Sequence, residues 1–297
     1  MLGLTTQAIF LRVEVRLITS EMCNGKFKFC LDWRQSKKTK IKTRDTLISS
    51  IPAAFYDVCE LNVPRAYAAG LELLCVTFDF RMNLDGPAFA VLSDEERASA
   101  ARFLRHEDAI RFATTRVVLR HALAKRSDLA AGGLQLQRDE VGRPRLASTK
   151  DHMRIPLDFN VSHSGQHALI ALATGRRVGV DIEARRSDLN WEMLSTAVLA
   201  PHDEAQVAAL PAHLRIEAFY DVWTAKEALL KALGIGIGSG MTWFSVLGGK
   251  DGEPLVRVSS EQTRGGCLLT AFDAAWCVVP AGYAACVAWS RDDIVNL

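Results

Sequence analysis

The alternation of apolar and polar positions along this chain changes period several times, and each change marks an element. Leu71 to Phe80 reads as a strand. Ser93-Asp-Glu-Glu96 is a capping box, in which the serine side chain and a glutamate three residues on satisfy each other's backbone N–H groups, so a helix opens there. That helix, or two in succession, runs to about Lys125. Leu134 to Gln137 is a short strand, and Gly142-Arg143-Pro144 is a turn by composition. Asp158 to Gly165 is a strand ending in a polar turn, with His167 to Thr174 as the return strand. In Val178-Gly-Val-Asp-Ile-Glu183 the period is two, so Val178, Val180 and Ile182 face a core while Asp181 and Glu183 project from the other face.

Beyond Glu183 the period becomes helical around Trp191–Leu199, His202–Leu210 and Arg215–Leu233. In the last of these, Trp223-Thr-Ala-Lys-Glu-Ala-Leu-Leu-Lys231 consists mostly of strong helix formers, and Gly234 stands where a C-cap glycine belongs. Glu227 and Lys231 are four apart, on one face within reach of each other, with Trp223 a turn back on the same side. The glycines from Gly234 to Gly240 have the wrong spacing and context for a dinucleotide site, because they follow a helix rather than a strand. Short alternating runs at Leu255–Val258, Cys267–Phe272, Trp276–Val279 and Tyr283–Trp289 predict antiparallel strands.

Composition refines this picture. The chain of 297 residues is 49% hydrophobic with a formal net charge of +2, as expected of a globular protein. No apolar run approaches the length that crosses a bilayer, and Arg12, Glu14 and Arg16 interrupt the N-terminal apolar stretch, against a secretory signal. The seven cysteines are odd in number and without metal-like spacing, which fits reduced thiols in a cytoplasmic protein. Residues 1–70 hold eleven Lys or Arg against six Asp or Glu, whereas the rest of the chain is slightly acidic. The run Arg34 to Arg44 is basic without an apolar period, so residues 1–70 are expected to be a poorly ordered extension, not a nucleic-acid-binding module.

Three stretches carry candidate chemistry. Two carboxylates two apart on a strand, Asp181 and Glu183, repel unless a positive charge lies between them, and a hard cation such as Mg²⁺ would supply it. Ser162 and His163 are neighbours in an extended strand and point to opposite faces, and the chain has no G-x-S-x-G elbow, so a hydrolase dyad is disfavoured. Hydroxyls and an imidazole at a loop tip suit hydrogen bonding to an anion instead. The arginines between Arg97 and Arg120 make a solvated face or a phosphate site.

Phe159-Asn-Val-Ser-His-Ser164, Val178-Gly-Val-Asp-Ile-Glu183 and Trp223-Thr-Ala-Lys-Glu-Ala-Leu-Leu-Lys231, in this order and spacing, resemble the 4′-phosphopantetheinyl transferases of the surfactin-synthetase-activating type. Glu107 to Arg111, Arg120 and Gly142-Arg-Pro144 fit the same family. The resemblance covers roughly residues 71–290. It implies an α+β fold of two similar lobes related by a pseudo-twofold, each a small antiparallel sheet packed with helices, at 71–176 and 177–297, with the active site in the cleft between them. It implies transfer of the phosphopantetheine arm of coenzyme A to a serine of an acyl or peptidyl carrier protein, in fatty acid, polyketide or nonribosomal peptide biosynthesis, with Mg²⁺ as cofactor and adenosine 3′,5′-bisphosphate released. It further implies that Asp181, Glu183 and Glu227 hold the metal, and that Glu227 or a metal-bound water takes the serine proton. Lys231 would stabilise the leaving phosphate. Arg111, Ser162 and His163 would contact the phosphates of coenzyme A, and Arg143 and Pro144 the adenine side. Some relatives carry first-helix lysines where this chain has Glu96 and Ser99, for which Arg97 and Arg102 are the substitutes on hand. A monomer is expected. The rival classes are a Mg²⁺-dependent phosphodiesterase, which coenzyme A turnover without a carrier would reveal, and a non-catalytic binding module, which has no need of both the acids and Lys231.

Overall fold

A computed structural model describes residues 56–127, 129–139, 142–147, 157–236, 238, 240–249, 253–258 and 268–291. The basic run from Arg34 to Arg44, and Cys23, Cys30 and Cys267, lie outside the described residues.

The first half builds a four-stranded antiparallel sheet in the order β1 (Tyr56–Glu60), β2 (Leu71–Phe78), β6 (His167–Thr174), β5 (Leu157–Ser164). Period-two alternation decides what each strand face meets. Leu74, Val76 and Phe78 of β2 and Ala168, Ile170 and Leu172 of β6 lie against the 22-residue helix α3 (His106–Ser127). Leu71, Leu73, Cys75, Leu169, Ala171 and Ala173 face the other way. Because β6 is covered on both faces, it reads as a continuous apolar run. The helix α1 (Pro64–Ala68) links β1 to β2. The expected boundary at residue 71 is therefore corrected: β1 pairs with β2 from Tyr56↔Phe78 to Glu60↔Leu74, so residues 56–70 belong to the first lobe, with Tyr56–Glu60 in its sheet.

The second half repeats the plan. Its three-stranded antiparallel sheet runs β10 (Phe272–Trp276), β11 (Tyr283–Ser290), β7 (Val178–Ala184). Val178, Val180 and Ile182, with Ala285, Val287 and Trp289, pack against the inner face of the first sheet. The outer face carries α6 (Ala212–Leu233), again of 22 residues. The layers thus run helix, sheet, sheet, helix, an α+β arrangement of two similar lobes. Smaller helices α4 (Trp191–Val198) and α5 (Pro201–Ala208), with the strand pair β8 (Phe244–Ser245) and β9 (Arg257–Val258), surround α6. Most of α6 is buried as a result, although its Glu→Lys pair reads like a surface helix. Among the described residues no helix is long and apolar enough to cross a membrane.

The helix expected from Ser93 is two: α2 (Asp94–Ala100) and α3. Ser93 forms the predicted capping box, its Oγ accepting from the Glu96 N–H at 3.2 Å while Glu96 Oε2 accepts from the Ser93 N–H at 3.1 Å. The same Oε2 accepts from Arg120 Nε at 2.7 Å, and Arg120 is buried. Arg120 is therefore an internal brace, not part of a solvated or phosphate-binding arginine face. In the last quarter the short strand is Phe272–Trp276 rather than Cys267–Phe272 and Trp276–Val279, because the turn at 268–271 comes first and Pro280 and Gly282 shape the next one.

Candidate active site at the lobe junction

The two sheets meet along β5 and β7, and side chains make the seam. Asp158 Oδ2 accepts from the Val178 N–H at 2.9 Å, Asn160 Oδ1 from the Val180 N–H at 2.9 Å, and Ser164 Oγ from the Ala184 N–H at 3.0 Å. Each bond joins residues 20 apart in sequence. On its other edge β7 pairs with β11, so these short polar side chains satisfy donors that a neighbouring strand would otherwise take. The remaining rung, Ser162, reaches sideways instead: its Oγ donates to Asp181 Oδ1 at 2.7 Å.

Asp181 and Glu183 are not on a half-exposed face. They point from β7 toward α6 and are buried. Gly179, on the same face, explains how the helix comes so close. A Cβ built there would lie 2.1 Å from the Ala228 carbonyl oxygen and 2.4 Å from the Ala232 nitrogen. The helix backbone thus rests on the strand backbone, and Glu227 and Lys231, a turn apart, bracket Asp181. Lys231 Nζ lies 2.5 Å from Asp181 Oδ1, 3.1 Å from Glu227 Oε2 and 3.2 Å from Ser162 Oγ. The indole N–H of Trp223 donates to Glu227 Oε1 at 2.5 Å. The Lys231 side chain stays 24% exposed, whereas those of Asp181 and Glu227 are buried at 1% and 3%, so the lysine is the member of the cluster that reaches solvent.

The electrostatics follow from burial. Loss of hydration pushes Asp181 up to about 7 despite the neighbouring ammonium, and Glu227 adds to the rise. Glu183 is pushed up to about 10 by burial and by Asp181, against its bond from Ser164. Burial disfavours the Lys231 ammonium, but the Asp181 and Glu227 carboxylates outweigh it and hold the group above the ordinary lysine value. Asp181 and Glu183 thus lack positive charge, which Lys231 supplies in part.

The Mg²⁺ that the resemblance implies can be tested on these donors. All three are carboxylates, the hard oxygen ligands such a cation takes. Asp181 Oδ2 is buried without a hydrogen-bond partner. Among the described residues no three His, Cys, Asp or Glu are placed so that they could hold a metal ion together, so Asp181, Glu183 and Glu227 would have to rearrange to take one. The donors fit the ion in kind, and the lysine ammonium stands between Asp181 and Glu227.

Of the other expected residues, Arg111 and His163 lie by the turn that follows β5 in the first lobe. As alternation requires, His163 points away from Ser162, toward α3. Its imidazole is exposed, yet crowding by surrounding atoms, then the charges of Arg111 and Lys231, hold its pKa below the usual value. Arg111 Nε donates to the Gly165 carbonyl at 2.7 Å, its Nη1 pairs with Asp108, and its guanidinium stacks 4.8 Å from the Phe80 ring. Arg143 is not at this turn. Buried at 8% exposure, it donates to the carbonyls of Phe159, Val178 and Lys231 and to Asp158. Pro144 sits beside it at the start of β4 (Pro144–Leu146), paired with β3 (Leu136–Arg138). Arg97 reaches back to the carbonyls of Phe89 and Ala90, and Arg102 to Ser99 Oγ, so neither joins the cluster.

Sequence reasoning missed Gly179, the β5 ladder, the hydrogen bond from Trp223 to Glu227, and Lys226. The last is fully buried, 2.8 Å from Asp203 Oδ2, and donates to the carbonyls of Val198 and Met241. The ladder had a signal: Asp158, Asn160, Ser162 and Ser164 are four short hydrogen-bonding side chains on one strand face.

Comparison with known proteins agrees with this two-lobe site. Residues 86–175 match the family described as 4′-phosphopantetheinyl transferase, N-terminal, and residues 177–288 the 4′-phosphopantetheinyl transferase superfamily. The two matches meet where the chain passes from β6 to β7. A putative 4′-phosphopantetheinyl transferase of Synechocystis is 39% identical over 152 residues, 51% of this chain and 61% of that protein. The chain thus spans about three fifths of that relative's length. The 4′-phosphopantetheinyl transferase HetI of Nostoc is 34% identical over 53% of this chain and 68% of its own length, and that of Bacillus subtilis 27% identical over 62% and 78%. A holo-ACP-synthase structure from Plasmodium yoelii, 18% identical, covers 39% of this chain and 96% of its own with a TM-score of 0.32, too slight a likeness to bear on function. With matches over both lobes and a relative covered over two thirds of its length at 34% identity, the chain belongs to the 4′-phosphopantetheinyl transferase superfamily.

Proposed function

We propose that this protein transfers the 4′-phosphopantetheine arm of coenzyme A to a serine hydroxyl of an acyl or peptidyl carrier protein, in a Mg²⁺-dependent reaction that releases adenosine 3′,5′-bisphosphate. The observation that carries this reading is the junction cluster, in which the partly exposed Lys231 pairs with two buried carboxylates. The reaction forms a bond from the serine oxygen to the β-phosphorus of the pyrophosphate. The phosphorus–oxygen bond to the adenosine-side phosphate breaks, and its electron pair leaves with the bisphosphate. Such a transfer needs little covalent chemistry from the protein; it needs positioning and charge neutralisation.

Lys231 meets that need, because its ammonium is held charged by Asp181 and Glu227 on a partly exposed side chain and would turn to the oxygens of the departing phosphate. Glu227 is held at Oε1 by the indole of Trp223 and pairs through Oε2 with Lys231 at 3.1 Å, so it would accept the proton of the carrier serine once Lys231 turns to the departing phosphate. His163 and Arg111 would offer donors from the first lobe to the phosphates of coenzyme A, and Ser162 would join them by turning its hydroxyl away from Asp181. Asp181, Glu183 and Glu227 would hold Mg²⁺, whose contribution when bound is to neutralise charge on the pyrophosphate oxygens.

Intact-mass spectrometry of a broad panel of apo-carrier proteins, incubated with the protein, coenzyme A and Mg²⁺, tests the proposal. The expected result is the mass gain of one phosphopantetheine arm on at least one carrier. No gain on any carrier with folded protein sinks it, and turnover of coenzyme A without a carrier would favour a phosphodiesterase instead.

A further inference from the structure

We infer that Arg143 is a positioning residue that sets the place of Lys231, not a contact for the adenine side of coenzyme A. The inference rests on the transfer reading above for its kinetic arm alone.

The last four carbonyls of a helix lack intrahelical partners, and cations near that end also oppose the helix dipole. In α6 the Leu230 carbonyl accepts from Gly234 at 2.8 Å and the Leu233 carbonyl from Arg177 Nη1 at 2.9 Å. The Lys231 carbonyl falls to Arg143, whose Nη1 donates at 2.7 Å. The rest of the fork is anchored in the seam. Nε and Nη2 donate to the Phe159 carbonyl of β5 at 3.2 and 2.6 Å, and Nη2 to the Val178 carbonyl of β7 at 2.7 Å. Asp158 completes the brace. Its Oδ2 accepts from Arg143 at 2.9 Å and also from the Val178 N–H at 2.9 Å, which is the first rung of the ladder.

One buried guanidinium therefore joins β5, β7 and the backbone of Lys231. Its Nε and Nη2 donors and one of Nη1 are committed to protein acceptors and the side chain is buried, so a nucleotide would have to open the seam to reach most of the fork. Lysine keeps the charge but is a point donor without the planar fork, and cannot serve these diverging carbonyls together. If the fork is lost, the Lys231 backbone is free to shift relative to Asp181, which sits on the strand the fork holds.

The test uses the full chain with Arg143→Lys, and with Asp158→Asn in case the first variant fails to fold. Both are assayed well below their melting transitions. For either, kcat for carrier modification should fall about tenfold or more, because misplacements near 1 Å are costly. KM for coenzyme A should stay within about twofold, since no ligand contact is lost. In a Lys231→Ala background the same substitution should cost less than about threefold, as expected of residues acting through one another. A purely structural brace would lower the melting temperature without this dependence on Lys231. A second arm needs no activity: acylation of Lys231 by an amine-reactive ester, mapped by peptide mass against exposed Lys125, should be severalfold faster in Arg143→Lys than in the unaltered protein. A raised KM for coenzyme A with unchanged kcat, an undiminished loss in the Lys231→Ala background, or unchanged Lys231 labelling overturns the inference. If the unaltered protein modifies no carrier, the functional reading falls, and the labelling arm still decides the role of Arg143.

Discussion

Gly179→Ala is the substitution on which the site geometry can be tested most directly. The added methyl would sit 2.1 Å from the Ala228 carbonyl oxygen and 2.4 Å from the Ala232 nitrogen, both backbone atoms of α6 that cannot rotate away. Ordinary contact between such atoms begins near ~3.4 Å, so strand and helix must separate by about 1.3 Å. The cost of overpacking a buried interface is about 1–3 kcal/mol. For a domain of this size each 1 kcal/mol lowers Tm by roughly 2–4 °C, which gives a fall of about 2–12 °C. The same separation acts on the chemistry, because Lys231 Nζ stands 2.5 Å from Asp181 Oδ1 across this interface. A displacement near 1 Å there is enough for a loss on the order of 10²-fold in kcat/KM. Carrier modification kinetics and a thermal melt on the same preparation measure both. Gly133→Ala serves as the control, since a Cβ there meets nothing within 4 Å. A Gly179→Ala protein that keeps its Tm and its rate would refute the close approach and the account of how the cluster is assembled.

Other substitutions separate chemistry from support. Trp223→Phe keeps an aromatic side chain but removes the N–H that holds Glu227 Oε1; loss of this bond to a buried carboxylate should cost about 1.5–3 kcal/mol in denaturant unfolding, and kcat should fall with it. Lys226→Met leaves Asp203 buried without its 2.8 Å partner and should cost about 3–5 kcal/mol in denaturant unfolding, although Lys226 adjoins Glu227 in sequence and never faces the cleft. Removing residues 1–50 should leave kcat/KM within about tenfold. Removing 1–65 takes away β1 and uncovers Val76 and its neighbours on β2, so that variant should melt lower; equal melts for both truncations would contradict the assigned pairing of β1 with β2.

The fold was legible wherever a strand or helix keeps one face on a core. The alternation in Val178 to Glu183 identified which residues share a face, and the structure keeps that grouping. Alternation did not tell what covers the other face. A strand with acids on one side reads as solvated, because charged residues are rarely buried unless paired. Here α6 covers them, and the clue was the glycine between the valines. Arg143 shows the opposite failure: a turn residue in Gly-Arg-Pro reads as exposed, and no periodicity announces that its side chain folds back into a seam 15 to 88 residues away. The arginines of α3 failed for the same reason. A helix face gives no sign of whether an arginine meets water or, like Arg120, a buried glutamate.

What joins the halves explains why motif order and spacing carried so much. Every ladder bond spans the same sequence separation, because β5, β6 and β7 form an uninterrupted up-down-up path with a tight turn at Gly165 and a short one at Gly175. An insertion of one residue between Ser164 and Val178 would shift each rung to the wrong side of β7, since side chains alternate and only every second backbone N–H faces the seam. Ser162 would then lose Asp181, and the donors of the first lobe would no longer face the acids of the second. The distance between the Phe159–Ser164 and Val178–Glu183 motifs is thus a mechanical constraint. It fixes which hydroxyl meets which carboxylate, and it does so before α6 brings Glu227 and Lys231 to the same place.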